Sequence, residues 1–282
     1  MRTQLIGAHM PSDGGMAGAV RNGKEIGCTA VQVFTSSPRQ WKSEMPSEEK
    51  IQTFKKAVAD SGITSLISHD SYLINLADPD IERRKKSREG LKKELKRSSD
   101  FGIGLVVSHL GAHMGQGEEV GLQFVAESLH EILDESPDDV ILLMETTAGQ
   151  GTSLNWNFEH LTTILDLTKS PKRLGICIDT CHIFAAGYDI RTPETYSATF
   201  EKFDKTVGID KVKAIHCNDS KKNFGSRVDR HEHLGDGAIG GEFFKMIMKD
   251  GRFDLIPKIV ETPTENEGHR KNVMKLWNWA KS

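Results

Sequence analysis

Residues 212–237 read VKAIHCNDSKKNFGSRVDRHEHLGDG. The stretch opens as a short apolar run, the kind that forms a strand buried on both faces, and the run ends on His216. A polar, glycine-containing loop follows and leads to Asp229, Arg230 and His231. Imidazole and carboxylate together suit zinc, manganese or iron, and His216, Asp229 and His231 supply both. Lys213, Lys221, Lys222, Arg227 and Arg230 surround them, and such charge suits a phosphate-bearing substrate. A solvated loop with scattered histidines is the competing description of these residues taken alone.

The pattern of an apolar run ending on a polar residue recurs along the chain. The runs are QLIGAH ending at His9, AVQVFT at Thr35, TSLISH at His69, GLVVSH at His109, VILLME at Glu145, LGICID at Asp179, VKAIH at His216 and LIPKIVE at Glu261. They recur about every 36 residues, the length of a strand, a loop and a helix. Near-continuous apolar runs suit parallel strands covered on both sides. Eight such steps predict an α/β fold, a TIM-type (β/α)8 barrel, forming one domain over residues 1–282. A distorted or incomplete barrel is the alternative if the last helices are counted differently.

The intervals read as helices. Ser47 caps one whose first turn carries Glu48 and Glu49, with Phe54, Ala57 and Val58 on one face and Gly62 as its stop. Residues 81–101, IERRKKSREGLKKELKRSSDF, read as an outer helix with a solvated charged face and a sparse inner stripe of Ile81, Leu91 and Leu95. Gly14–Ile26, Val120–Leu133, Phe158–Leu167, Pro193–Val207, Glu242–Lys249 and Arg270–Ala280 follow the same plan.

The composition, 37% hydrophobic and 27% charged, describes a globular protein. No apolar run approaches the ~20 residues needed to span a bilayer, and the N-terminal run is too short for a secretory signal. The expectation is a cytoplasmic protein in which Cys28, Cys177, Cys181 and Cys217 stay reduced, as buried small hydrophobes. A monomer is expected because no large exposed apolar stripe stands out. The net charge of −3 argues mildly against nucleic acid, but three divalent ions would add six charges and make the balance +3.

In such a barrel the active site lies at the C-terminal strand ends. The residues gathered there and in the following loops that qualify as metal ligands are His69, His109, Glu145, Asp179, His182, His216, Asp229, His231 and Glu261. Nine ligands exceed one tetrahedral ion and suit two or three. Four carboxylates converging without cations would repel strongly. His9 and His113 stand near the same rim, to orient a ligand or touch substrate. Close pairs of metal ions suit in-line displacement at phosphorus, and second, isomerisation of a sugar. In the loop SSPRQW, Arg39, Gln40 and Trp41 follow strand two, and Tyr72 and Leu73 lie just past His69. They either pack as loops or enter a groove and unstack bases.

The motifs GAHMPSDGG, FTSSPRQW, HDSYLINLA, ETTAGQG, GICIDTCHIFAAGYDI, HCNDSKKNFGSRVDRHEHLGDGAIG and VETP, spread over residues 5–264, resemble those of the endonuclease IV family, zinc-dependent apurinic/apyrimidinic endonucleases of base-excision repair. The resemblance implies three zinc ions, with manganese able to take one site. His69 and His109 would hold the first; Glu145 would bridge it to a second, which Asp179, His216 and Glu261 also hold; His182, Asp229 and His231 would hold the third. It implies hydrolysis of the phosphodiester 5′ to an abasic sugar, leaving a 3′-hydroxyl and a 5′-deoxyribose phosphate, with Glu145 and Glu261 as the catalytic carboxylates. Glu261 would help to position or activate the attacking water. The implied partner is double-stranded DNA with abasic sites or blocked 3′ ends, and some members nick 5′ to oxidised bases. Arg39, Gln40, Tyr72 and Leu73 match positions that enter the minor groove, and Arg230 flanks them as a DNA contact. Three departures stand out: Leu110 where proline is usual, Met144-Glu145-Thr146 where Leu-Glu-Asn is usual, and Pro38, which shifts the loop before Arg39. The rival enzyme is a sugar isomerase or epimerase, which needs neither the Tyr72–Leu73 wedge nor a third ligand trio. The rival of another class is a damage-binding protein that no longer cuts, against which an intact ligand set argues.

Overall fold

The structure, a computed structural model, describes residues 4–12, 14–168, 171–263 and 267–282. Asp13 of the GAHMPSDGG motif and Thr264, where the resemblance ends, lie outside them.

Eight parallel strands close into a barrel: β1 (Ile6–His9), β2 (Ala30–Phe34), β3 (Ser65–His69), β4 (Leu105–Ser108), β5 (Ile141–Glu145), β6 (Leu174–Asp179), β7 (Val212–His216) and β10 (Lys258–Val260). The order round the barrel is β1-β10-β7-β6-β5-β4-β3-β2, so each strand lies beside the strand that follows it in the barrel. Every expected run forms a strand. Thr35, His109 and Glu261 fall one residue beyond β2, β4 and β10, at the start of the rim loops. Two short strands, β8 (Asp219–Ser220) and β9 (His231–Glu232), form an antiparallel ribbon that frames the 221–230 loop.

The strand period of two positions the site. Ala30, Ile67, Val107, Leu143, Cys177, Ala214 and Ile259 form one buried cluster that plugs the barrel. Two residues further along each strand stand Gln32, His69, His109, Glu145, Asp179, His216 and Glu261. The apolar layer and the polar layer are therefore successive inward positions on the same strands. A packed barrel floor of this kind, not a pore, is what the architecture requires. Gly7 on β1 has no room for a side chain, since a Cβ there would sit 1.6 Å from the Ala30 carbonyl oxygen.

The outer ring comprises α1 (Met16–Glu25), α2 (Glu48–Ala59), α3 (Ile81–Phe101), α4 (Glu118–Asp134), α5 (Phe158–Leu167), α6 (Thr180–Ala186), α7 (Pro193–Thr206), α8 (Gly241–Lys249) and α9 (Gly268–Lys281). Ser47 caps α2 by accepting from the Lys50 amide, as expected, but the helix ends at Ala59 with Asp60 as its C-cap, before Gly62 is reached. The reading of α3 needs correction: Ile81 is 64% exposed. Leu91 and Leu95 are buried, and so are the charged residues Arg84, Glu94 and Arg97. An apolar-stripe reading cannot foresee buried charges that satisfy one another. All four cysteines are free and buried. Among the described residues, no helix is long and apolar enough to cross a membrane.

Candidate metal centre

The nine ligand-type residues converge at the C-terminal mouth of the barrel. Six stand in the polar layer just described. CIDTCH supplies two, because Asp179 ends β6 and caps α6, its Oδ1 accepting from the His182 amide at 2.8 Å. That cap turns His182 into the mouth. Asp229 and His231 arrive on the loop held by the β8–β9 ribbon. They share a face, with Asp229 Oδ1 3.3 Å from His231 Nε2.

Ligand atoms of His69, His109 and Glu145 lie within 4.8 Å of one another, as do those of Glu145, Asp179, His216 and Glu261, and those of His182, Asp229 and His231. Glu145 belongs to the first two groups. Asp179, Cys181 and His231 make a further grouping, but burial pushes the Cys181 thiol up, away from the thiolate a metal needs. A cavity of about 270 Å³ reaches the centre; seven of the nine line it, while Asp179 and His216 lie behind, fully buried.

The histidines are presented as ligands are. His69, His182 and His231 place Nδ1 on the carbonyl oxygens of Asp70 (3.0 Å), Thr146 (2.8 Å) and Glu261 (3.1 Å). Each thereby turns Nε2 inward, the arrangement that fixes a metal-binding tautomer. Nε2 of His231 faces Asp229 Oδ1 at 3.3 Å and Asp179 Oδ2 at 3.6 Å. Burial opposes charge throughout, yet carboxylate neighbours raise His69 and His231 to about 9 and lift His182 well above the usual range, while Cys177, then Glu261 and Glu145, do the same for His216. Burial likewise opposes ionisation of Glu145, Glu261 and Asp229, but facing histidines hold all three low. Both sets of shifts have one source, carboxylate charge concentrated among imidazoles at a buried site. The donor set fits divalent metal ions on both counts.

Gln32 and Asn218 escaped the sequence reading. Gln32, fully buried, accepts from His216 Nε2 (2.7 Å) and donates to Glu261 Oε1 (2.6 Å). Asn218 donates to Asp179 Oδ2 (2.6 Å) and accepts from the Glu261 amide (2.8 Å). Gln32 had a signal: it is the one polar residue inside AVQVF, at an inward position. His9 lies at the cavity, its Nδ1 3.1 Å from Glu261 Oε1 and its Nε2 buried without a partner. His113 instead accepts backbone N–H groups from Gly115 and Gly117, shaping its own loop. At the Thr146 departure, the hydroxyl accepts from the Asp179 amide at 2.9 Å, so the substitution keeps a hold on the ligand strand. Leu110 is buried at φ 64, which proline cannot adopt.

Arg39, Gln40 and Arg230 are exposed on the rim, and Leu73 is half-buried. Tyr72 is 58% exposed, its ring 6.1 Å from that of His69. A second groove, about 400 Å³, runs from Tyr72, His109 and Asp229 to Arg230.

The barrel and its clustered histidines and carboxylates define a TIM-barrel enzyme built for metal ions. A family model described as "Xylose isomerase-like TIM barrel" matches residues 20–281. The chain is 48% identical over 279 residues, 98% of both chains, to "Probable endonuclease 4" of Geotalea daltonii. The chain belongs to the endonuclease IV family. A crystal structure of endonuclease IV from Thermus thermophilus superposes with a TM-score of 0.88 at 33% identity, covering 98% of this chain and 99% of that one. A D-tagatose 3-epimerase-like protein shares the fold, with a TM-score of 0.75 at 18% identity over 98% of this chain and 97% of that one.

Proposed function

We propose that this chain is a DNA-repair endonuclease that hydrolyses the phosphodiester 5′ to an abasic site, leaving a 3′-hydroxyl and a 5′-deoxyribose phosphate. The carrying observation is the nine-donor centre, three groups of which two share Glu145, in a chain of the endonuclease IV family. His69, His109 and Glu145 would hold one zinc ion, Glu145, Asp179, His216 and Glu261 a second, and His182, Asp229 and His231 a third. Manganese could take one of these sites. Such ions, when bound, acidify water and polarise phosphoryl oxygens.

The protein's own groups do the rest. Gln32 and His9 hold Glu261 Oε1, and Glu261 orients the attacking water and accepts its proton. The water oxygen bonds to phosphorus, the bond from phosphorus to the 3′ oxygen breaks, and that oxygen leaves with the bond's electron pair and becomes the 3′-hydroxyl by taking a proton from solvent, to which Glu261 returns the one it accepted. Arg39 and Gln40 enter the minor groove, Tyr72 and Leu73 fill the gap left by the flipped nucleotide, and Arg230 pairs with backbone phosphate. Blocked 3′ ends are a second substrate for the same centre. The protein acts as a cytoplasmic, single-domain monomer.

Glu261→Gln tests the reading. It should retain abasic-duplex binding and lose at least ~100-fold in single-turnover cleavage. Near-normal cleavage would remove Glu261 from the mechanism.

A further inference from the structure

We propose that the buried Arg97–Glu94 pair of α3 is a latch that positions the loop carrying Arg39 and Gln40, and through it Tyr72. The inference rests on the proposed role of that loop in engaging DNA.

Arg97 is 3% exposed. Its guanidinium donates to Thr35 Oγ1 (2.9 Å), Ser36 Oγ (3.0 Å) and Ser43 Oγ (2.9 Å), and pairs with Glu94 Oε2 (2.5 Å). Glu94 in turn accepts from Thr35 Oγ1. One planar fork therefore grips the loop as it leaves β2 and again beyond Lys42. Lysine cannot satisfy those partners with one ammonium. A buried pair of this kind adds little stability relative to apolar residues of the same size. Its contribution is geometric: one side chain ties Ser36 and Ser43, the two ends of the 36–43 segment, together.

Two further contacts extend the grip. Trp41 lies over Gly90 of α3, where a Cβ would come within 3.3 Å of its ring, with Lys86 Nζ 4.5 Å from the ring centre. The Pro38 carbonyl accepts from the Tyr72 amide (3.1 Å) and from Ser71 Oγ (2.8 Å). The two rim loops are thus tied to each other through the Pro38 carbonyl, so loosening Arg97 should displace Tyr72 as well. Arg97 is a positioning residue, remote from the reacting atoms.

The test uses Arg97→Lys, which keeps the charge opposite Glu94, and Ser43→Ala, which removes one grip from the loop side. Limited trypsin digestion of the folded, metal-loaded protein, read by mass spectrometry, reports cuts after Arg39 or Lys42. Both variants should be cut there faster, Arg97→Lys by about fivefold or more. KM for an abasic duplex should rise about fivefold for Arg97→Lys, with kcat and hydrolysis of bis(p-nitrophenyl) phosphate within about twofold. Unchanged cutting in both variants would overturn the latch. Faster cutting with unchanged KM would overturn its role in substrate engagement, and a parallel fall on the small diester would reduce Arg97 to a general structural role. A wild-type protein indifferent to abasic sites would defeat the proposed function, while the trypsin arm would still decide the latch.

Discussion

Glu145 places Oε1 2.9 Å from Nδ1 of His216, at the centre of the barrel mouth. Its Oε2 lies 3.1 Å from His69 Nε2. One carboxylate therefore serves two donor groups, and removing it should weaken both. Glu145→Ala is expected to lose more than one metal equivalent per chain by elemental analysis, and about 1,000-fold in cleavage. A loss below one equivalent would show that the groups bind independently.

Metal removal should make stability fall with alkali. In the metal-free chain His69 and His231 titrate at about 9, above their ordinary 6.5. A raised folded pKa contributes stability that is whole below about pH 6.5 and is lost as pH rises through about 9. The depressed carboxyls Glu145, Glu261 and Asp229 work the opposite way, losing their contribution in acid. Thermal melts of chelated protein should therefore weaken between pH 6.5 and 9, while metal-loaded protein holds, since metal replaces the protons. Parallel pH profiles with and without metal would contradict this.

Gln32 is expected to matter nearly as much as a ligand. Gln32→Leu leaves His216 Nε2 and Glu261 Oε1 without their shared partner. Outer-sphere losses of this kind cost about 10–100-fold in metal affinity or activity. Metal titration by competition with a chelator would measure it, and unchanged affinity and rate would make Gln32 simple filler.

Asp219 should be a stability hot spot away from the chemistry. Its buried side chain accepts backbone N–H groups from Ser220, Gly235, Gly237, Ile239 and Gly240, tying β8 to the 235–240 turn beyond β9. Asp219→Ala would strand those donors, at a cost of about 3 kcal/mol. Denaturant unfolding checks the figure. Because β8 also pairs with His231 of β9, this variant should lose metal from the His182–Asp229–His231 group first.

Most of the barrel was legible because buried parallel strands are apolar throughout and break on a polar residue, so VILLME and LGICID carry both a strand and the ligand at its end. The ligand groups became legible only where spacing and resemblance met, since Asp229 and His231 come from a loop with no periodicity. Gln32 was hidden inside a run scored by its apolar neighbours. Arg97 and Glu94 were hidden for the converse reason: charge along α3 reads as solvated surface, and only the fold shows the two residues satisfying each other and the 36–43 loop inside the protein.

The central claim is metal-dependent hydrolysis at an abasic site. Its most direct test is cleavage of an end-labelled duplex carrying one tetrahydrofuran abasic analogue, which cannot undergo β-elimination. A single cut 5′ to the analogue is predicted, lost after prolonged chelation and restored by zinc. Metal-replete protein that leaves the duplex intact would contradict the account, and tight binding without cutting would make the protein a damage-binding one.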